Sequence, residues 1–426
     1  MEPMKTSRRT ILLNTGKAAA SVGAAMAMGD LLAACGAGSS TAVTGTITFW
    51  HAYDVNGPET KTLTSKVIPA FEKANPGIHV NSQEIPYNSL LQKITASLAG
   101  GGGPDVIRSD IIWMPQLAKI GALVSMDAEI ASRKSEFYSG TVATCYYKGS
   151  YYGLPLDTNT RALYYNKSLF AQAGVSQPPT TTAEFKAASQ KIHALGASIF
   201  GYAEGGLDAW DTLPWLWSFG GDVTDDKFTK ATGYLNSAKS VAALQYLTDL
   251  LDEKLMSPSI LGGSSLATSD AIGKNLAGMI IDGPWMPPIF QSSYPNLNYG
   301  LTTMVAGPGG QSVSVVGGED IAILKSSQNI PAAKKFVEFM TSTQAQVFMG
   351  QVGQMPTLIS ASTDPSLPSY YSVYNEQLKT AKPRTVSPNW TQIDTALTDA
   401  FNKALRHLAT PQAALDAAAS AIDALL

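Results

Sequence analysis

Thr46-Ile47-Thr48-Phe49-Trp50, Ile78-His79-Val80-Asn81-Ser82-Gln83-Glu84 and Asp105-Val106-Ile107-Arg108 are three short runs whose intervals decide the fold. Apolar alternation at Ile47 and Phe49 marks the first as a strand. Between the first two, Glu59 to Ala74 places Leu63, Val67, Ala70 and Phe71 on one helical face. Pro69 must kink that helix or shift its start, and Asn75-Pro76-Gly77 stops it. Before the third run, Ser89–Leu98 sets Leu90, Leu91, Ile94 and Leu98 on one side of a second helix. The order βαβαβ predicts parallel strands with right-handed crossovers, and a ligand beyond their carboxyl ends, at His51–Asp54 and Ser109–Trp113.

Further along, Tyr151-Tyr152-Gly153-Leu154-Pro155 precedes a new strand at Ala162–Asn166 and helices at Thr182–Leu195, Ser237–Leu251 and Ser269–Asn275, the pattern of a second lobe. Gly278–Ile281, Tyr299–Met304 and Ile321–Leu324 read as short strands, and Gly307-Pro308-Gly309-Gly310 as a turn. Helices are expected at Ala332–Met340, Thr391–His407 and Pro411–Leu425.

At the other end of the chain, Arg8-Arg9, a diluted apolar stretch from Ile11 to Leu32, and Leu32-Ala33-Ala34-Cys35 read as an export signal closed by a lipobox. Residues 1–34 would be removed, Cys35 lipidated, and residues 35–45 left as a tether. A membrane helix is the alternative, but a charge near the bilayer centre costs roughly 3 kcal/mol, and Lys17 and Asp30 interrupt the stretch. Losing the signal leaves 26 basic and 31 acidic side chains of the original 30 and 33, a net charge of −5. Without a basic cluster the chain cannot neutralise phosphates, so nucleic acid is excluded as a partner. With Cys35 committed to lipid, Cys145 has no disulfide partner and the core must supply the stability. The charged fraction is only 15%, and all seven tryptophans lie beyond the signal, which suits a neutral, hydroxyl-rich ligand.

Several segments together resemble the family 1 extracellular solute-binding proteins of ABC importers, which include maltose- and trehalose-binding proteins. They are Thr48-Phe49-Trp50-His51-Ala52-Tyr53, Phe71-Glu72-Lys73-Ala74-Asn75-Pro76-Gly77-Ile78, Gly100-Gly101-Gly102-Gly103-Pro104-Asp105-Val106, Tyr152-Gly153-Leu154-Pro155, Leu163-Tyr164-Tyr165-Asn166-Lys167, Asp282-Gly283-Pro284-Trp285 and Ala333-Lys334-Lys335-Phe336-Val337-Glu338-Phe339. The resemblance implies an α/β fold of two lobes, each a mixed, mostly parallel sheet flanked by helices, closing on a ligand between them. It puts 46–155 plus 305–345 in the first lobe and 156–304 plus 346–426 in the second. It also implies a monomer that delivers its sugar to the importer's permease subunits from a lipid anchor on the outer face of the membrane, with no cofactor.

Sugars present C–H faces rimmed by hydroxyls, so a site needs aromatic planes for stacking and side chains that hydrogen-bond in pairs. The resemblance places His51, Tyr53, Asp54, Ser109, Asp110 and Trp113 at the first lobe's edge of the cleft, against simpler uses as packed, turn or capping residues. Asn159 stands where relatives usually carry an acid, and Arg161 offers a fork of donors unless it forms an interlobe salt bridge. Trp210 and Trp285 are the stacking candidates, while Trp217 is expected in the core. Gly317, Gly318 and Glu319 match a cleft segment where absent side chains let backbone amides approach a ligand. Arg384 and Trp390 would close the far side.

A glycoside hydrolase would share this equipment but needs two carboxyl groups flanking the scissile bond, about 5 Å or 6.5–9.5 Å apart, and the usual barrel or sandwich patterns are absent. His51, His79, His193 and His407 lack metal spacing, and no nucleophile or phosphate-loop motif occurs, so neither a metal nor catalysis is expected. A phosphorylated ligand would need more cleft cations than Arg161 and Arg384. A lipoprotein serving a sensor shares every feature of the importer reading.

Overall fold

A computed structural model describes residues 43–54, 57–262 and 267–426. The export signal, Cys35 and most of the tether lie outside the described residues. In chain order the strands are β1 (Gly45–His51), β2 (Ile78–Glu84), β3 (Val106–Asp110), the hairpin β4 (Tyr146–Tyr147) and β5 (Ser150–Tyr151), β6 (Leu154–Thr160), β7 (Ala162–Asn166), β8 (Phe200–Ala203), β9 (Ala277–Asp282), β10 (Tyr299–Thr302), β11 (Val315–Ile323), β12 (Met355–Pro356) and β13 (Lys382–Pro383).

Apart from the separate β4–β5 hairpin, they form two mixed sheets. The first runs β12-β6-β11-β3-β1-β2, with β13 added beside β11, and the second runs β10-β7-β9-β8. β1 pairs parallel with both β2 and β3, as the βαβαβ order requires. β11 lies antiparallel to β3 and to β6. Side chains alternate across each sheet, so Val106, Ile321 and Ile323 enter one core and Ile107, Ala322 and Leu324 another. In the second sheet Leu163 and Ile281 face one core, Tyr164 and Ile280 the other. Each lobe is therefore a sheet between two helical layers, the arrangement that buries both faces of such a sheet.

The chain passes from the first sheet to the second at Arg161, returns between Thr302 and Val315, and crosses again between Ser362 and Tyr371. Two expected boundaries move. Leu156 falls inside β6, which stays in the first sheet to Thr160. Residues 346–358 also belong there, because β12 pairs with β6 and Met349 and Leu358 join the first core. Proline acts differently from expectation as well. The helix from Pro58 to Ala74 is continuous, widened to π-helical form over Leu63–Val67 just before Pro69, which has no N–H to donate. Among the described residues no helix is long and apolar enough to cross a membrane.

Candidate functional site

The carboxyl ends of β1 and β3, together with β6 and β11, open onto a cleft of about 590 Å³ whose other wall comes from the second lobe. This volume is that of an ordinary small-ligand site. On the first wall, Tyr87 and Trp113 stack with ring centroids 5.0 Å apart, tilted by 31°. On the second, Trp210 and Trp285 lie 6.1 Å apart, tilted by 30°. Trp210 rides on the first turn of the helix Ala209–Ser218, whose N-cap Asp208 accepts from the amide of Asp211. Trp285 follows a Gly283-Pro284 turn at the end of β9 and precedes the helix Met286–Ser293.

Polar groups fill the space between these aromatic pairs. Asp110 is nearly saturated: Tyr87 Oη donates to Oδ2 at 2.6 Å, while Arg384 Nη2 at 3.1 Å and the Ile112 amide at 3.0 Å donate to Oδ1. Deeper, Arg108 reaches two acidic side chains and an amide at once. Its Nη2 lies 3.3 Å from Asp157 and 2.8 Å from Glu319 and donates to Gln354 Oε1 at 2.9 Å, and Gln354 in turn donates to Glu59 at 2.6 Å. Burial raises the pKa of Glu319 well above the usual carboxylate range, with Arg108 opposing and Asp157 adding to the rise. Glu59 is raised by the same cause. Asp394, which accepts from the Ala209 amide at 2.8 Å, is pushed up to about 6 by burial and by Asp208. Both cleft arginines are thus already matched by carboxylates.

Asp54, Asp110, Trp113, Asn159, Trp210, Trp285, Gly318, Glu319, Arg384 and Trp390 all border the cleft, as the sequence reading expected of their positions. Four expected residues do not. Tyr53 packs into the first core under the Arg108 guanidinium, 4.3 Å from its ring centroid. His51 is buried beside it, accepting from the Tyr53 amide at Nδ1, so that Nε2 donates to Ser82. Burial, and then Arg108, hold its imidazole neutral with a pKa of about 3. Ser109 points away from the cleft because β3 alternates, and it is fully buried. Arg161 is sealed in the second lobe, paired with Glu204 at 2.6 Å and Asp211 at 3.0 Å, so it is neither a ligand group nor an interlobe bridge.

Gly317 and Gly318 both border the cleft, and neither position has space for a side chain. Gly318 sits at φ +138, where a Cβ would meet the Asp157 carbonyl at 2.4 Å, and a Cβ on Gly317 would strike Asn159 Oδ1 at 2.1 Å and the Trp210 ring at 2.5 Å. Gly317 makes room for two neighbouring side chains and Gly318 for the backbone of β6. Sequence reading missed Tyr87, Arg108, Asp208, Gln354 and Asp394. The alternation of β3 could have flagged Arg108, since Asp110 lies two residues on; the others carry no local signal.

The sequence profile of the bacterial extracellular solute-binding proteins matches residues 56–347. The chain belongs to that family. This solute-binding protein is 26% identical to the GacH receptor of Streptomyces glaucescens, solved unliganded and with acarbose, at a TM-score of 0.82 covering 90% of this chain and 98% of that one. Maltose-bound MalE3 of T. maritima matches at 27% identity and a TM-score of 0.81 over 89% of this chain and 100% of that one. The maltooligosaccharide ABC transporter solute-binding lipoprotein of Streptococcus pneumoniae is 25% identical over 384 residues, 86% of this chain and 85% of that one. These relatives are binding proteins, not enzymes.

Proposed function

We propose that this solute-binding protein captures an uncharged di- or oligosaccharide for an ABC importer, its two lobes hinging shut around the sugar and the closed form docking on the permease. The observation that carries this is a pair of aromatic faces on each wall of one cleft, with carboxylates, amides and already-matched arginines between them. Stacked rings take the C–H faces of successive sugar residues, and paired acceptors take the hydroxyls. A phosphate or carboxylate would meet no unmatched cation among the described cleft residues. The names of the similar proteins, with maltose, maltooligosaccharide and acarbose, favour an α-linked glucan-like ligand. On this reading the mature protein is a monomer held by lipid on Cys35 at the outer face of the cytoplasmic membrane.

A thermal-shift screen of mono- to pentasaccharides, followed by calorimetry and chromatography of the recovered sugar, tests it. A sugar that raises the melting temperature, binds one to one and is recovered intact supports the reading. Shorter products in the recovered sugar, or no stabilising sugar across the panel, would refute it.

A further inference from the structure

Outside the cleft, three tyrosine hydroxyls converge on the turn that carries Trp285. Tyr374 Oη donates to the carbonyl of Asp282 at 3.2 Å, Tyr164 Oη to that of Gly283 at 3.0 Å, and Tyr370 Oη to that of Pro284 at 3.2 Å. The three carbonyls are consecutive, while the donors come from two places: Tyr164 from β7, and Tyr370 and Tyr374 from the start and body of the helix Tyr371–Leu378. The Tyr164 and Tyr374 hydroxyls also lie within hydrogen-bond reach of each other, so their two protons serve three contacts, and whichever phenol donates to the other leaves its own carbonyl at that moment. Both are fully buried, and Tyr370 is half-buried.

Phenylalanine would fill the same space without the cost of desolvating a hydroxyl, so these oxygens demand an explanation. Apolar packing does not supply one, since the surrounding core is built from Ala162, Ile280, Phe290 and Met355. The carbonyls do. They lie at and just past the end of β9, where the turn's own bonds are local: the Gly283 amide donates to the Asp282 carboxylate at 2.8 Å and the Met286 amide to the Gly283 carbonyl at 3.3 Å, and neither ties the turn to another element. Burial raises the pKa of all three phenols, so each remains a donor at any physiological pH. The next residue along, Tyr371, donates to the Gly350 carbonyl at 2.5 Å and fixes the helix against the first lobe. At the turn itself the Trp285 indole folds over Gly283, where a Cβ would lie 2.2 Å from the ring. Its angle therefore follows the turn.

We propose that Tyr164, Tyr370 and Tyr374 are positioning residues that clamp the Asp282-Gly283-Pro284 backbone and thereby hold the Trp285 indole at one angle in the cleft. Its importance for binding rests on the reading of Trp285 as a stacking surface.

Incorporation of 5-fluorotryptophan and fluorine NMR tests the clamp directly, with Trp285→Phe identifying the resonance. In Tyr370→Phe, and in the Tyr164→Phe/Tyr374→Phe double variant, the Trp285 line should broaden or split while that of Trp50, in the first lobe, stays in place. A Trp285 line identical to the parent's in both would overturn the proposal, and if the double variant does not fold, Tyr370→Phe alone decides. Affinity for maltotriose, the probe, should fall about fivefold, the worth of one net hydrogen bond. Trp285→Ala separates the two ideas. If it leaves maltotriose affinity unchanged, the stacking reading fails while the line shape still judges the clamp. If it loses affinity and the tyrosine variants keep both affinity and line shape, the clamp alone fails.

Discussion

Replacing Gly317 with alanine should damage binding more than folding, and the structure sets the scale. The added Cβ would stand 2.1 Å from Asn159 Oδ1 and 2.5 Å from the Trp210 ring, where 3.4 Å is ordinary contact. Gly317 cannot retreat, because β11 is paired with β6 at this point, Gly317 opposite Asn159. The half-buried indole is the freer partner, and it must swing by about 1 Å towards the cleft to regain normal packing distance. Overpacking of this size costs about 1–3 kcal/mol of stability, which a protein of this size survives. A displaced stacking face forfeits about 1.4 kcal/mol of sugar binding, a tenfold weaker Kd. Calorimetry with the sugar found by screening measures the affinity, and denaturant unfolding the stability. In the Trp210→Ala background the ring clash is gone, so Gly317→Ala should weaken binding less than it does in the parent. Parent-like affinity in the single variant, or an equal loss in both backgrounds, would show that Trp210 does not govern the width of the cleft.

Three other outcomes are expected. Arg161→Met should cost about 3 kcal/mol or more, since Glu204 and Asp211 lose their shared cation in the second lobe, yet leave a folded fraction that binds sugar normally; a selective loss of affinity would return Arg161 to the site. Asp320 is raised by burial to about 7, so the native state keeps a proton that the unfolded chain releases above its ordinary pKa, and this group costs stability as pH rises from about 4 to 7. Asp320→Asn should therefore gain in melting temperature over the parent as pH rises through that window, and a pH-independent difference would contradict the assignment. Cys35→Ser should release the protein from the membrane fraction; retention there would argue for an uncleaved N-terminal helix.

The architecture was legible because alternation and helical spacing are local. β2 and β7 fall where their residues predicted, Ile78–Glu84 and Ala162–Asn166. β11 was recognised only from Ile321 onward, because Val315–Asp320 carries two glycines and two acids whose placement depends on β6 and Trp210 rather than on any strand pattern. The cleft was half legible. Trp285 and Asp110 sit at strand ends, where topology points. Arg108 and Arg161 look alike in sequence, each an arginine at the edge of a strand, and only the carboxylates brought from elsewhere in the chain decide that one borders the cleft and the other is entombed. Tyr87 and Asp394 come from helices whose relation to the cleft is set wholly by tertiary packing.

β6 and β11 leave the first sheet side by side, bonded to one another along their length. Two such strands make a ribbon that bends more easily across its flat face than it shears within it, so this pair of connections favours tilting of the lobes over sliding. A third connection, between Ser362 and Tyr371, runs separately from that ribbon.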